Sequence, residues 1–314
     1  MKIFITGGSG FLGSKTIKKL LESGHEVTAL VRSESSLKKV SGIGVKTING
    51  DLDDITKFES IFSKVDAVVH CAAPVEFWGK WEKFDNQIVQ ASINLARKAS
   101  DFGVKRFIHI SSESVLQDRN PLVGINETYP YPDRPNSYYG KAKKNAELAL
   151  LSFETKMEII ILRPTFIYGP GCPSFETILN KANSGQFLWI DHGKSEFEAV
   201  HIENVASAIL CALKNGKSKS IYFITDDQKR TVRDFFEKIF IEYKVKVPTM
   251  SIPNYLAEVA AGVIECVWLN LKIYSPPPLS KFELAFIAQP RRYDITKAKT
   301  ELGYSPLNFD LSLK

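Results

Sequence analysis

The chain opens with Lys2–Thr6 (KIFIT) and runs at once into Thr6-Gly7-Gly8-Ser9-Gly10-Phe11-Leu12-Gly13, where a helical pattern begins. Glycines three residues apart leave such a turn few alternatives. Gly7 permits the tight reversal, Gly10 lets backbone approach a pyrophosphate, and Gly13 lets the helix pack closely on the strand. Ser9, Phe11 and Leu12 complete the same cofactor-contacting turn. The helix N-terminus then offers free N–H groups and a partial positive charge to phosphate oxygens. An ordinary βα turn can carry glycines too, but here a strand precedes, a helix follows directly, and further signals lie downstream. The turn points to a dinucleotide site.

The rest of the chain alternates. Apolar β-rich runs occur at Glu26–Val31, Val45–Ile48, Asp66–His70, Lys105–Ile110 and Glu158–Leu162, with helical stretches at Phe11–Ser23, Phe84–Ser100 and Tyr138–Phe153. Near-continuous apolar strands separated by helices predict an α/β fold whose doubly wound parallel sheet is covered on both faces. After Arg163 a Pro/Gly-rich loop intervenes. A helix is expected over Glu203–Leu213, and a strand at Ser220–Thr225 returns to the sheet. Helices near Val232–Tyr243 and Tyr255–Leu269 follow, then the turn-rich Ser275–Pro278. We expect a dinucleotide-binding Rossmann domain over 1–170 and 200–225, with 171–199 and 226–314 forming a smaller, discontinuous C-terminal substrate lobe.

Composition narrows the class. Of 314 residues, 44% are hydrophobic and 24% charged, the proportions of a soluble globular protein. The net charge of +6 is spread among acids, and its densest group, Lys141, Lys143 and Lys144, lies on a helix, so no nucleic-acid partner is expected. Tyr255–Leu269 is too short to span a bilayer and carries Glu258 and Glu265. Four dispersed cysteines without CxxC, five histidines without ligand spacing and no signal-peptide pattern predict a reduced, metal-free, cytoplasmic protein.

Tyr139 and Lys143 stand four apart, on one helical face. A phenol, with a reference pKa of about 10, shuttles a proton near neutrality only if a cation stabilises the phenolate. Lys143 is placed for that. Tyr138 has Ala142 at the same spacing and lacks the partner, while Tyr129 and Tyr131 lie in a Pro-rich loop. The strand before ends His109-Ile110-Ser111-Ser112-Glu113-Ser114, and a hydroxyl at a strand's C-terminal edge faces the crevice where doubly wound sheets bind ligands. Ser112 and Ser114 both qualify. No G-x-S-x-G elbow supports a serine hydrolase.

Thr6 followed by Gly-x-x-Gly-x-x-Gly, with Ser112, Tyr139 and Lys143, resembles the extended branch of the short-chain dehydrogenase/reductase superfamily, the NAD-dependent epimerase/dehydratase group, over nearly the entire chain. The resemblance makes Ser112 the match for the hydroxyl that orients the reacting oxygen, with Ser114 second. It gives Lys143 a hydrogen bond to the nicotinamide ribose. Asp51 and Leu52 correspond to the adenine-contacting turn, Ala72 and Ala73 to the small residues beside the cofactor, and Pro164 to the backbone that meets the nicotinamide amide. At the end of the second strand, Arg32, with Lys38 nearby, suits the 2′-phosphate of NADP. Glu34 as a ribose ligand keeps NAD possible. His70 reads as a packed strand-end residue, and Glu203 and Asn204 as helix caps as readily as ligands. Where the family usually has Asn, this chain has Ile88, unless Asn86 serves.

Two stretches narrow the substrate. Val27–Val40 with Ala72–Phe77 resembles ketone and aldehyde reductases of the dihydroflavonol-reductase group, and Pro278–Pro306 resembles the tail of 3-beta-hydroxysteroid and sterol dehydrogenases. The resemblance implies an NAD(P)-dependent oxidoreductase moving hydride between NADP(H) and a ketone or secondary alcohol on a bulky apolar small molecule. Phe77, Trp78 and Trp81 either line a pocket for that skeleton or pack the lobe. A nucleotide-sugar epimerase or dehydratase retaining NAD is the rival, and a non-catalytic NADP(H) sensor a third reading. The family expectation is a homodimer through the helices of Phe84–Ser100 and Tyr138–Phe153.

Overall fold

A computed structural model describes residues 1–74 and 76–309. Val75, inside the Ala72–Phe77 stretch, and residues 310–314, the end of the lobe expected over 226–314, lie outside the described residues. The first half of the chain contains β1 (Lys2–Thr6), α1 (Phe11–Glu22), β2 (Glu26–Val31), α2 (Glu34–Ser41), β3 (Lys46–Asn49) and β4 (Ala67–His70). It continues with α3 (Trp81–Phe84), α4 (Ala91–Asp101), β5 (Arg106–Ile110), β6 (Leu122–Ile125) and α5 (Tyr138–Ser152). Then come β7 (Glu158–Pro164), β8 (Phe166–Tyr168), α6 (Pro173–Asn183), β9 (Trp189–Ile190), β10 (Ala199–His201) and α7 (Ile202–Asn215). The last elements are β11 (Ser220–Ile224), α8 (Val232–Glu242), β12 (Ser251–Ile252), α9 (Asn254–Asn270), α10 (Lys281–Ala288) and β13 (Arg291–Tyr293).

Seven strands form a parallel sheet in the order β11-β7-β5-β4-β1-β2-β3. Strand alternation explains its two cores. Ile3 and Ile5 face Ile17 and Leu20 of α1 and Val205 and Ile209 of α7. Phe4, between them, points the other way into Phe58, Phe62, Leu95 and Phe107. Both faces are covered, which is why the strands read as unbroken apolar runs. Strand order reverses between β1 and β4, and a doubly wound sheet opens its ligand crevice at such a switch point.

A third core is rich in aromatic residues: Tyr168, Phe175, Trp189, Phe197, Phe235 and Phe236 pack together with Cys172, Val232 and Ile239. Its material comes from the segments between β8 and β10 and after β11. Several helices, α2, α6 and α10 among them, were not among the expected elements. α2 is only eight residues long and buries only Val40, so it offers little apolar surface by which to be recognised. α10 is apolar nearly all round between two Pro-containing segments, so periodicity cannot distinguish it from a strand. Its start is nonetheless well built, because Ser280 and Glu283 form a reciprocal capping box. Among the described residues, no helix is long and apolar enough to cross a membrane, and no His/Cys/Asp/Glu group could hold a metal ion.

Candidate active site

The first turn is shaped by what its glycines exclude. Gly7 has φ +71°, and a Cβ there would lie 2.7 Å from the Ala72 backbone nitrogen; one on Gly13 would collide with the Gly7 carbonyl oxygen. The β1 turn therefore touches the β4 edge directly, and α1 starts hard against both. Gly10 caps α1 with no side-chain hydrogen bond, and the first turn of α1 holds no acid. Its N–H groups and partial positive charge remain available to an anion. Ser9, Phe11 and Leu12 line this start, with Phe11 also reaching the aromatic core. Ala72 and Ala73 follow β4, Asp51 and Leu52 follow β3, and Pro164 ends β7, all at the same C-terminal edge. A cleft of about 330 Å³ opens between Leu52, Asp53, Asn86, Gln90 and Asn94.

Ser112, Tyr139 and Lys143 meet at this edge. Ser137 caps α5 by accepting from the Gly140 N–H at 3.0 Å, which fixes where the helix begins. Gly140 is required there, since a Cβ would lie 2.6 Å from the Ser114 carbonyl oxygen. Ser112 accepts the Ser114 N–H at 3.2 Å, and its hydroxyl lies beside the Tyr139 phenol. Lys143 is 3% exposed, donates to the Ile110 carbonyl at 2.7 Å, and stands 5.9 Å from the Tyr139 ring centroid. Ser114, the second candidate, is buried and its hydroxyl meets no partner among the described residues.

The charges differ from the simplest expectation. Desolvation pushes the Tyr139 phenol up to about 12; the neighbouring Ser112 hydroxyl opposes this and Glu113 adds to it. Burial brings Lys143 down to about 8, opposed by the Glu147 carboxylate and by Cys71. In this arrangement Ser112, not Lys143, is what draws the phenol down, because the ammonium is directed at the Ile110 carbonyl.

Two buried carboxylates hold the trio in place, and neither was singled out as such in the sequence. Glu147, one turn after Lys143, receives Arg163 of β7 through both oxygens at 2.6–3.2 Å, plus the Tyr131 hydroxyl at 2.7 Å. Glu113, next to Ser112, accepts from Gln117 at 2.6 Å, Arg291 at 3.1 Å and Tyr293 at 2.7 Å. The only local hints were the position of Glu147 four residues after Lys143 and the polar Arg291-Arg292-Tyr293 in an apolar tail. His70 is a packed strand-end group: its ring meets Thr6 at 2.7 Å and Ser92 at 3.1 Å, and desolvation lowers its pKa to about 3.

The remaining candidates divide. Arg32, exposed at the end of β2, lies 3.7 Å from Asp51, whereas Lys38 pairs with Glu34 along α2. Ile88 is buried, and Asn86 lines the cleft with Leu52. Phe77 stands edge-on to Tyr139 at 5.3 Å and stacks on Phe282 of α10 at 4.5 Å, forming an aromatic wall beside the phenol. Trp78 donates to the Ile273 carbonyl, and Trp81 packs on Tyr138. Glu203 pairs with Lys15, and Asn204 is buried on Asp226 and Leu307; His201 supplies the cap of α7.

Comparison with known proteins agrees with this construction. The sequence pattern of the NAD dependent epimerase/dehydratase family matches residues 3–225. The chain is 29% identical to a 4-hydroxy-2-methyl-3-oxo-4-farnesyl-3,4-dihydroquinoline-1-oxide ketoreductase of Stigmatella aurantiaca, over 97% of this chain and 92% of that one. It is 28% identical to a decarboxylating sterol-4-alpha-carboxylate 3-dehydrogenase of Dictyostelium discoideum, over 96% and 95%. In fold it is similar to a UDP-glucose 4-epimerase of Thermotoga maritima solved with UDP-glucose, with a TM-score of 0.75, 22% identity and coverage of 98% and 94%. The chain belongs to the NAD-dependent epimerase/dehydratase family, the extended short-chain dehydrogenases/reductases, and is an oxidoreductase of that family.

Proposed function

We propose that this enzyme moves a hydride between NADP(H) and a ketone or secondary alcohol on a bulky apolar skeleton. The observation that carries the reading is the meeting of Ser112, Tyr139 and a buried Lys143 beside the glycine turn at the sheet's switch point. The residues fit a dinucleotide: the glycine cradle leaves no room for a Cβ on Gly7 or Gly13, and the uncapped, acid-free N-terminus of α1 favours a pyrophosphate. Gly7, Ser9, Gly10, Phe11, Leu12 and Gly13 would hold it, with Asp51, Leu52, Ala72, Ala73 and Pro164 along its length and Arg32 at a 2′-phosphate. When bound, the nicotinamide supplies or accepts the hydride.

Ser112 donates to the substrate oxygen and fixes its position. Tyr139 gives its phenolic proton to the oxygen as it gains negative charge, or removes a proton from the alcohol in the reverse direction. Lys143 provides positive charge beneath the phenol. Phe77 and Phe282 present an apolar wall at Tyr139, which suits skeletons such as the farnesyl and sterol groups in the relatives' names. We take the aromatic-core segments, 171–199 and 226–314, as the substrate lobe, and place the enzyme in the cytoplasm as a homodimer through α4 and α5.

Tyr139→Phe tests the assignment. Turnover of an apolar ketone should fall by roughly 10²–10⁴-fold, the usual span for a positioned proton donor, while NADPH fluorescence titration stays unchanged. Undiminished turnover would remove Tyr139 from the mechanism. One feature favours the alternative, a nucleotide-sugar epimerase or dehydratase with retained NAD: Arg32 is already paired with Asp51. Mild denaturation and identification of the released nucleotide separates the two.

A further inference from the structure

Helix α9 carries its apolar residues outward. Tyr255, Val259 and Val263 follow in four-residue steps, with Leu256 and Val267 on the same side; they are 66, 64, 59, 48 and 42% exposed respectively. The opposite side buries Ala257 and Ala261 against Ile190 and Leu284. The helix's two acids are occupied off this face, Glu265 by Lys281 and Glu258 by Asn254. Lysines flank it in sequence: Lys244 and Lys246 lie before the helix and Lys272 follows its end, all exposed. Scattered surface apolar residues are ordinary, but a continuous stripe without an intervening charge marks a contact surface.

We propose that α9 is an interfacial helix that lies flat on an anionic lipid surface, its apolar face in the headgroup–acyl boundary and its flanking lysines at the phosphates. Three observations select that occupant. At 17 residues the helix is about 25 Å long, too short to cross a bilayer but sufficient to lie in its boundary. A strip one helix wide covers a few hundred Å², against the roughly 800 Å² each partner buries in a standard protein interface, so a second copy is a poor match. The exposed lysines on either side of the helix in sequence complement an anionic surface. The C-terminal end of α9 also reaches the candidate site. The Ile273 carbonyl accepts from Trp78 at 3.1 Å and Lys80 stands over the Tyr274 ring, so a docked surface would adjoin the aromatic wall at Tyr139. That last link rests on the apolar-substrate reading; the docking itself does not.

The test is co-sedimentation of the full chain with extruded vesicles, either phosphatidylglycerol/phosphatidylcholine or phosphatidylcholine alone. The wild type should pellet with the anionic vesicles and be released by high salt, and V259E/V263E should lower the bound fraction by roughly tenfold or more. Both positions are exposed, so the thermal unfolding midpoint and NADPH titration should match the wild type and report folding independently. Wild type that stays in the supernatant, or a variant that pellets equally, overturns the proposal. So does a concentration-dependent dimer, seen by sedimentation velocity without vesicles and abolished by V259E/V263E, because the stripe's occupant is then a second copy. Loss of NADPH binding in wild type and variant alike would count against the redox reading alone.

Discussion

Two arginine–carboxylate pairs lie near opposite ends of the proposed nucleotide crevice. Arg163 and Glu147 are 1% and 0% exposed and join β7 to the helix bearing Tyr139 and Lys143. Arg32 and Asp51 are 72% and 40% exposed and join the ends of β2 and β3. The chemistry is the same but the energetics are not. Exposed pairs contribute about 0–1 kcal/mol, whereas removing one partner of a buried pair strands a charge where water cannot reach it. The Tyr139 end is thus held rigidly, while the proposed adenosine end is easy to alter without harming the fold.

The contrast breaks most readily at the buried end. Glu147→Ala should cost about 3–5 kcal/mol by leaving Arg163 without its partner, seen as a lower urea midpoint at unchanged slope. Glu113→Gln keeps the shape but removes the charge facing Arg291 and Tyr293, and should cost about 2 kcal/mol by the same measurement; no loss would mean that this cluster does not anchor Ser112. For Lys143, burial lowers the pKa to about 8, so its ammonium is present below that pH and lost above it. The value of kcat/KM should therefore drop roughly tenfold between pH 7 and 9, and a flat profile would take the ammonium out of the mechanism. At the exposed end, Arg32→Ala should change stability by less than about 0.5 kcal/mol yet lower the NADPH-over-NADH preference roughly tenfold. A large loss of stability there would erase the comparison.

These differences explain what the sequence could reveal. The glycine turn, the strands of the central sheet and the Tyr139–Lys143 spacing are local patterns, so their register and position could be read directly. The boundaries moved by one or two residues, as at β7, which runs on to Pro164. Glu113 and Arg291 stand 178 residues apart and share no periodicity, so only the folded chain unites them. Arg163–Glu147 was hidden similarly, although both residues flank recognised motifs. α2 and α10 escaped because one has a single buried residue and the other is apolar almost all round. The aromatic residues after β4 could not be divided by composition: only coordinates separate Phe77, at the phenol, from Trp81, which packs on Tyr138.

The stretch Asp85–Gln90 joins α3 to α4 as one turn of π-helix. Its wider winding lets a single rod serve two masters. Phe84, Ile88 and Val89 press on Ala142 and Ala146 of the Tyr139 helix, whereas Leu95, Ala96 and Ala99 press on the sheet. The Ile88 carbonyl accepts the Ser92 hydroxyl at 2.6 Å, and Ser92 in turn meets His70. A regular α-helix through the same residues would swing one of these surfaces away by about 100°. The local overwidening is therefore a phase adjuster: it keeps the wall behind the Tyr139 phenol in step with the scaffold below it.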